Sequence, residues 1–313
     1  MDKKVHISVL GANPSWQKTL FFDDLHFGRV NRAGGEECYP SGKGVNFCRA
    51  VRCSGLAETA IFQFAGGDNG RLLCEGLDAA GMVHYTVNTD GATRNCITCL
   101  DRYGNMTELI GVSSPVSENE ATKMLETLYR ELPGSSILAI TGSLPDGSSP
   151  LLYVKAAEIA LKNHLPVLFD ALAGVHEVLQ LDGVIILKVN REEFFKITGQ
   201  NDILAAHRWA AANFPGKIFA VTNGGDSATL GNDKYLYRYT LPQIKVTSPL
   251  GAGDTASAVM SALFAAGVPE YEAFKRALAA ASANCLNATA GEFSIETAEK
   301  LAGEINYTAE KLL

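Results

Sequence analysis

The chain has 313 residues, a formal net charge of −7 at pH 7 and 47% hydrophobic residues. That length allows about two domains, or one α/β body with a smaller appendage, and an acidic balance without a basic stripe argues against a nucleic-acid partner. No apolar run reaches the ~18 residues needed to cross a bilayer and the opening MDKKVHISVLGANPS lacks the pattern of a signal peptide, so we expect a cytoplasmic protein with no membrane partner.

Short apolar runs alternate with helical segments along most of the chain. Six runs are predicted as buried strands: VHISVLG (5–11), TAIFQFAG (59–66), SILAITGS (136–143), PVLFDA (166–171), GVIILKVN (183–190) and KIFAVTNGG (217–225). Segments such as ATKMLETLYREL (121–132) and LLYVKAAEIALKN (151–163) separate them. This order predicts an α/β fold with a mostly parallel sheet and helices on both faces. Such sheets bind ligands at the carboxyl ends of their strands.

Two stretches break this alternation, residues 15–41 and residues 92–112. Both are rich in strand-forming residues without an intervening helix, and the second resembles a hairpin around Tyr103 and Gly104. Together they are expected to form a small separate sheet. Such a sheet could be a lid over the strand ends, an edge extension or an oligomer contact.

The cysteines indicate reduced thiols, because seven is an odd number and the sequence shows no disulfide framework. Cys96 and Cys99 form a CxxC pair, but in a strand they would face opposite sides of the sheet. No second Cys/His pair follows at metal-ligand spacing, so we do not expect a zinc site.

The first glycine-rich turn is PSGKGVNFCRAV, residues 40–51. Gly42 and Gly44 flank Lys43 ahead of a predicted helix, and Asn46 lies in its first turn. The spacing is not that of a P-loop. A backbone nest with one lysine could bind a small oxyanion or sugar hydroxyls, whereas the alternative is a tight turn with a solvated lysine.

Polar groups also follow two later strands. In KVNREEF, Asn190 and Glu193 lie three residues apart behind Lys188, so on a first helical turn they could organise a hydrated Mg²⁺. The alternative is a helix start capped by the asparagine. After the next strand, VTNGGDSATL offers groups that can approach a ligand closely, namely Thr222, Gly224 and Ser227.

The stretch SPLGAGDTASAVMSALFAAG, residues 248–267, places Asp254 directly after a glycine-rich turn formed by Gly251, Ala252 and Gly253. The apolar spacing that follows predicts a helix that ends at Gly267. Backbone N–H groups and the helix dipole make this terminus suitable for an anion such as phosphate. Asp254 is therefore either a helix cap or a group that acts on something held beside the phosphate.

The order of these motifs resembles the PfkB, or ribokinase-like, family of carbohydrate kinases over nearly the whole chain. GAGDT at 251–255 matches its most specific signature, and the other matches follow in family order: SGKGVN (41–46), GGDNG (66–70), GSLPDG (142–147), KVNREE (188–193) and TNGGDSA (222–228). NPS (13–15), GRVNRA (28–33), TRNCIT (93–98) and TEL (107–109) look most similar to the branch that contains 1-phosphofructokinase and tagatose-6-phosphate kinase.

The resemblance implies a ribokinase-like three-layer αβα sandwich over residues 1–313, with a small β-sheet lid from about 15–41 and 92–112. It implies that Asp254 takes the proton of the attacking sugar hydroxyl, while the glycine turn holds the transferred phosphoryl group. Mg²⁺ and ATP are the implied cofactors. The implied sugar contacts are Gln17, Gly42, Lys43, Asn46, Arg94 and Ser143. The implied nucleotide contacts are Lys188, Asn190, Thr222, Gly224, Ser227 and, near the adenine, Asn287, with Glu193 linked to the metal.

Three positions depart from the family pattern. Gln17 stands where the branch usually has the aspartate of NPAxD, Ser41 replaces the first glycine of GGKG, and Val189 replaces the proline of KPN. An amide cannot accept charge-assisted hydrogen bonds as a carboxylate does. Gln17 therefore suggests that the hydroxyl pattern of the sugar differs from that of the family's usual substrates.

An arginine fork at Arg94 and a lysine at Lys43 suit a phosphate already on the sugar, so we expect a ketohexose monophosphate such as fructose 1-phosphate or tagatose 6-phosphate. The alternatives are a kinase of an unphosphorylated sugar or nucleoside, and a weakly catalytic sugar or nucleotide sensor. We also expect a homodimer through the lid, because its apolar residues need a partner surface: Trp16, Leu20, Phe21, Phe22 and Ile97.

Overall fold

The computed structural model describes residues 4–312. Its strands are β1 (His6–Leu10), β2 (Ser15–Phe22), β3 (Gly35–Ser41), β4 (Glu58–Ala65), β5 (Val83–Asn88), β6 (Arg94–Asp101), β7 (Met106–Ile110), β8 (Ile137–Thr141), β9 (Val167–Asp170), β10 (Ile185–Asn190), β11 (Ile218–Asn223), β12 (Ser227–Gly231), β13 (Tyr235–Thr240) and β14 (Asn306–Lys311). Its helices are α1 (Lys43–Ser54), α2 (Gly67–Ala79), α3 (Glu118–Glu131), α4 (Leu151–Lys162), α5 (Val175–Leu179), α6 (Arg191–Thr198), α7 (Ile203–Asn213), α8 (Ala252–Ala265), α9 (Glu270–Asn284) and α10 (Ile295–Glu304).

The main sheet has the order β14-β13-β12-β11-β10-β9-β8-β1-β4-β5. From β11 to β5 all neighbouring strands are parallel, while β12, β13 and β14 are added antiparallel. The runs predicted as buried strands are β1, β4, β8, β9, β10 and β11. The mostly parallel sheet is therefore confirmed.

Helices cover both faces of this sheet, because alternate residues of its central strands point to opposite sides. Ile137 and Ala139 of β8 join an apolar core with α1, α2, α8, α9 and α10. Leu138 and Ile140 join a second core with α3 to α7. The result is the expected three-layer αβα arrangement.

A second sheet has the order β3-β2-β6-β7, with β2 and β6 parallel. Its strands lie in the two stretches that lack helices, and the expected hairpin joins β6 to β7. Asp101 stabilises that turn, since its Oδ1 accepts hydrogen bonds from the N–H groups of Tyr103 (2.9 Å) and Asn105 (2.8 Å). Gly104 adopts φ +82°, which glycine tolerates at no steric cost.

The two sheets meet beside the carboxyl ends of the parallel strands. Ser15 of β2 pairs with both Ser41 of β3 and Arg94 of β6, so this end of the second sheet is held next to the turn before α1. Among residues 4–312, no helix has the length and apolar character needed to cross a bilayer. The fold thus brings the strand-end loops and the second sheet around one space.

Candidate active site

A cavity of about 940 Å³ lies at the carboxyl ends of the parallel strands, between the main and the second sheet. Thirteen of the residues singled out in the sequence line it: Gln17, Gly42, Lys43, Asn46, Arg94, Ser143, Lys188, Asn190, Glu193, Thr222, Gly251, Gly253 and Asp254. Four others lie outside its lining: Ala252, Gly224, Ser227 and Asn287. Most of the candidate residues thus surround one cavity.

Asp254 is buried in the first turn of α8 and does not cap that helix. The N-cap is Gly251, which adopts φ 77° and provides no side-chain cap. The Oδ2 atom of Asp254 instead accepts a hydrogen bond from Nδ2 of Asn46, at 2.9 Å. The interpretation of Asp254 as a helix cap is therefore wrong, and its carboxylate is left to the cavity.

The start of α8 presents free backbone donors beside this carboxylate. The N–H of Ala252 donates to the carbonyl of Pro249 at 3.3 Å, but the N–H groups of Gly253 and Asp254 have no acceptor within residues 4–312. A side chain on Gly253 would place its Cβ 2.9 Å from Nζ of Lys188. Two unpaired N–H groups thus lie next to an ammonium, and such a combination is suitable for binding a phosphoryl oxygen.

A second aspartate, which the sequence reasoning missed, organises the lysines of the site. Asp170 ends β9 and is buried, and its Oδ1 lies 3.0 Å from Nζ of Lys43. Its Oδ2 lies 3.5 Å from Nζ of Lys188 and accepts a 2.6 Å hydrogen bond from Oγ of Ser257. The run PVLFDA places this carboxylate at a strand's carboxyl end, which is the signal that would have found it.

The two aspartates have opposite pKa shifts. Burial would raise the pKa of Asp170, but Lys188 and Lys43 outweigh it and lower that pKa to about 2. Burial raises the pKa of Asp254 above the ordinary aspartate value, and Lys43, the Asn46 bond and Lys188 oppose this only in part. Asp170 is therefore a fixed negative charge, whereas Asp254 has the greater proton affinity that a base needs.

Lys43 lies in the part of the cavity wall that holds Asp170 and Asp254. Asp170 raises its pKa, and the ion pair directs its ammonium toward the two aspartates. Its side chain remains about half exposed, 46% by relative surface, so it can still meet an anion from the cavity. Lys43 and Arg94 were expected to bind the sugar phosphate together. Lys43 instead already forms an ion pair with Asp170.

Arg94 lines the same cavity and has no ion-pair partner within residues 4–312. Its Nη2 donates to the carbonyl of Asn13 at 2.9 Å, while its buried Nε has no partner among the described residues. Ser143 lies beside it, since Nδ2 of Asn13 donates to Oγ of Ser143 at 3.3 Å. Arg94, Ser15 and Ser41 form one row across three strands, which spans about 10 Å at ~4.8 Å per strand.

Gln17 is buried on β2, two residues after Ser15. Its Nε2 donates to Oγ1 of Thr98 at 2.8 Å and more weakly to the carbonyl of Lys18 at 3.4 Å. These contacts fix the amide nitrogen. The amide oxygen is left as the group that Gln17 can offer to a sugar hydroxyl.

The residues expected at the nucleotide form a capping box at the start of α6. The N–H of Glu193 donates to Oδ1 of Asn190, and Oε2 of Glu193 accepts from the N–H of Asn190, both at 2.9 Å. The capping alternative is therefore correct for Asn190. Thr222 of β11 lies directly beside Asn190 in the sheet.

The remaining nucleotide candidates lie further out. Gly224 is exposed on the turn between β11 and β12, and Ser227 is the exposed first residue of β12. Nδ2 of Asn287 donates to the carbonyl of Ala283 at 3.0 Å, at the end of α9. The described geometry brings none of the three into the cavity wall.

The donor set fits Mg²⁺ bound mainly through water and phosphate. Within residues 4–312 no three His, Cys, Asp or Glu side chains are grouped closely enough to hold a metal by themselves. Glu193 and Asp170 nevertheless line the same cavity, and Oε1 of Glu193 is not used by the capping box. One or two carboxylates plus substrate phosphates are the usual Mg²⁺ ligands in phosphoryl-transfer sites.

Comparison with known proteins shows which family the chain belongs to. Residues 16–298 match the family described as pfkB family carbohydrate kinase. The fold is similar to phosphofructokinase-2 from Escherichia coli in complex with potassium, with a TM-score of 0.88, 21% identity and coverage of 96% of this chain and 99% of that one. It is also similar to a Thermotoga maritima protein described as "Possible 1-phosphofructokinase", with a TM-score of 0.82, 18% identity and coverage of 98% and 99%. Since the family match spans most of the chain, the protein belongs to the pfkB family of carbohydrate kinases.

Proposed function

We propose that this carbohydrate kinase transfers the γ-phosphoryl group of ATP to a hydroxyl of a ketohexose monophosphate, of the fructose 1-phosphate or tagatose 6-phosphate type. The observation that carries the proposal is the placement of Asp254 beside two unpaired N–H groups and Lys188, with Arg94 across the cavity. One end of the site thus suits the transferred group, and the other suits an anion on the acceptor.

The reaction follows from these placements. Asp254 accepts the proton of the sugar hydroxyl as its oxygen attacks the γ-phosphorus, and the bond from that phosphorus to the β–γ bridging oxygen breaks to release ADP. The N–H groups of Gly253 and Asp254 hold the phosphoryl oxygens, and Lys188 balances their charge. Mg²⁺, when bound near Glu193, would neutralise part of the phosphate charge.

The acceptor phosphate is assigned to Arg94. Ser41 and Arg94 lie about 10 Å apart across three strands, at ~4.8 Å per strand. Ser41 bonds to the Asn46 amide that donates to Asp254, so this separation suits an acceptor whose phosphate and attacking hydroxyl lie at opposite ends of a hexose. The buried Nε of Arg94 needs an acceptor, and a phosphate oxygen would supply one. Escherichia coli phosphofructokinase-2 has been described in complex with fructose-6-phosphate, which is an acceptor of this class.

A kinase of an unphosphorylated sugar or nucleoside is the second candidate, and one contact favours it. Lys43 is already paired with Asp170, which leaves Arg94 as the cation of the cavity wall without an ion pair among the described residues. If Arg94 only anchors the carbonyl of Asn13, a neutral acceptor would fill the cavity equally well.

The test is ADP release from Mg-ATP with fructose 1-phosphate, tagatose 6-phosphate, fructose 6-phosphate, fructose, ribose and adenosine. We expect turnover of a phosphorylated ketohexose, and Arg94→Ala should raise its KM by ~10- to 100-fold through loss of a charge-assisted contact while the KM for ATP changes little. Arg71→Ala is the control, because Arg71 is exposed on α2, outside the cavity, and pairs with Glu75 of the same helix. Robust turnover of a neutral acceptor, unaffected by Arg94→Ala, would establish the second candidate instead.

A further inference from the structure

Arg49 lies on α1, one turn after Asn46, and joins three separate parts of the molecule. Its guanidinium donates to the carbonyl of Ala290 at 2.7 Å, to the carbonyl of Pro40 at 2.8 Å and to Oδ1 of Asn46 at 3.2 Å. Its Cζ also lies 5.6 Å from the centre of the Tyr39 ring. Arg49 itself is not in the described cavity lining, so substrate contact does not explain this arrangement.

The bond to Asn46 determines which way that amide faces. Its Oδ1 accepts from Arg49 and, at 3.4 Å, from Oγ of Ser41, whereas its Nδ2 donates to Asp254. Rotating the amide by half a turn would set its oxygen against the carboxylate and its N–H groups against the guanidinium. Both contacts are repulsive, and burial makes them costly.

The bond to Ala290 supports the other half of the reaction centre. A Cβ placed on Gly251 would lie 2.6 Å from Cβ of Ala290, so the loop at Ala290 packs directly behind the turn that starts α8. Arg49 bonds to the carbonyl of Ala290 and so holds this loop against Gly251. Gly251 begins the turn whose N–H groups are unpaired. The bond to Pro40 ties both to the last residues of β3 in the second sheet.

We propose that Arg49 is a positioning residue for phosphoryl transfer, which keeps the Asn46 amide nitrogen on Asp254 and the α8 turn against Ala290 before substrate arrives. This inference about Arg49 rests on the proposed function. We expect the kinetic effect of losing Arg49 to appear in kcat. Loss of Arg49 should leave ground-state binding of sugar and nucleotide largely unchanged, since Arg49 touches neither, and should slow the chemical step.

The first measurement needs no substrate. The side-chain N–H signals of Asn46 are recorded by NMR and assigned by their loss in Asn46→Ala. In Arg49→Met their exchange with solvent should be ~10-fold faster or more, the effect of losing hydrogen bonds worth about 1 to 1.5 kcal/mol. The matched control is Arg52→Met, because Arg52 is exposed on the same helix and donates to the carbonyl of Ala80. Its Asn46 signals should match the wild type.

The second measurement is steady-state kinetics with Mg-ATP and fructose 1-phosphate. We expect Arg49→Met to lower kcat by ~10- to 100-fold with both KM values within ~3-fold of the wild type. Arg49→Lys should recover part of that loss, because an ammonium can bond to fewer of the three acceptors. Arg49→Lys also undergoes both measurements if Arg49→Met does not fold.

The two measurements separate the inference from the proposed substrate. A wild-type protein that does not phosphorylate fructose 1-phosphate refutes that substrate, and the exchange rates of Asn46 then decide the role of Arg49 alone. Unchanged exchange in Arg49→Met overturns the inference. So does a variant with a lower melting temperature but wild-type kcat per folded molecule, because Arg49 would then only stabilise the fold.

Discussion

At the scale of single residues, two buried aspartates of the candidate site have opposite pKa shifts because their neighbours differ. Asp170 contacts two lysines and a serine, which keep it ionised. Within residues 4–312, the Asn46 amide is the one hydrogen-bond partner of the Asp254 carboxylate, and burial is the main cause that raises the pKa of Asp254. Paired carboxylates with pKa values pushed apart are a recurrent sign of a divided chemical role.

Asp254→Asn should lower kcat by at least ~10²-fold, the usual scale for loss of a general base, while nucleotide binding stays close to normal. The fold should survive, because Asp254 caps no helix. Calorimetric titration with ATP and assays of ADP release check the two parts. In the wild type, activity should decline as the pH falls through the raised pKa of Asp254, since a protonated carboxyl cannot accept the proton. A variant that binds ATP and retains full turnover would show that another group is the base.

Asp170→Asn should destabilise the protein by about 3–5 kcal/mol at pH 7, because it leaves the buried ammonium of Lys188 without its partner. The folded pKa of about 2 lies below the unfolded value. The stabilisation from Asp170 is thus complete above the unfolded pKa of ~3.9 and is lost as the pH falls toward about 2. Urea unfolding at pH 7 and pH 3 measures both effects. Asp226→Asn, at an exposed loop position, is the control and should change the free energy of unfolding by less than ~0.5 kcal/mol.

At the scale of elements, periodicity was sufficient to predict the α/β layers, the second sheet and α8. Polar groups after strands, such as Lys188 and Asn190, and glycine-rich turns before helices, such as those at Lys43 and Asp254, indicated part of the candidate site. The family resemblance supplied other residues, such as Arg94. Contacts between distant segments could not be read this way, because the Asn46–Asp254 bond joins residues 208 positions apart. The ion pair of Lys43 with Asp170, 127 positions apart, was missed for the same reason.

The turn that starts α8 gives a prediction at this scale. Gly251→Ala should lower both melting temperature and kcat, since φ 77° is strained for alanine and its Cβ would lie 2.6 Å from Cβ of Ala290. Gly81→Ala isolates the backbone cost, about 1–2 kcal/mol, because Gly81 has φ +64° but nothing within 4 Å of the added Cβ. Thermal unfolding and kcat are compared for both variants. Equal effects of the two substitutions would show that the contact with Ala290 is unimportant.

At the scale of the whole molecule, the second sheet leaves large apolar side chains uncovered. Tyr103 is 64% exposed, Leu109 54% and Val112 86%, and all three lie in or beside the β6–β7 hairpin. We propose that a second copy of the chain covers this region, and that the second sheet serves as a lid.

Light scattering at micromolar concentration should therefore give twice the chain mass of 33.4 kDa. Leu109→Lys should shift the protein toward the monomer, because a buried unpaired ammonium is costly at an apolar interface. Leu151→Lys is the control, since Leu151 is 55% exposed on α4 in the main body. A wild-type monomer would exclude the dimer and leave the fold unchanged.

The position of β1 in the middle of the main sheet has a consequence for how the chain folds. This strand pairs with β4, which begins at Glu58, and with β8, which begins at Ile137. During synthesis its apolar residues must therefore wait until more than a third of the chain has left the ribosome before both edges are covered. Non-local parallel pairing of this kind slows folding, and the exposed nascent strand is prone to aggregate. We therefore expect chaperones to increase the yield of folded protein in the cell.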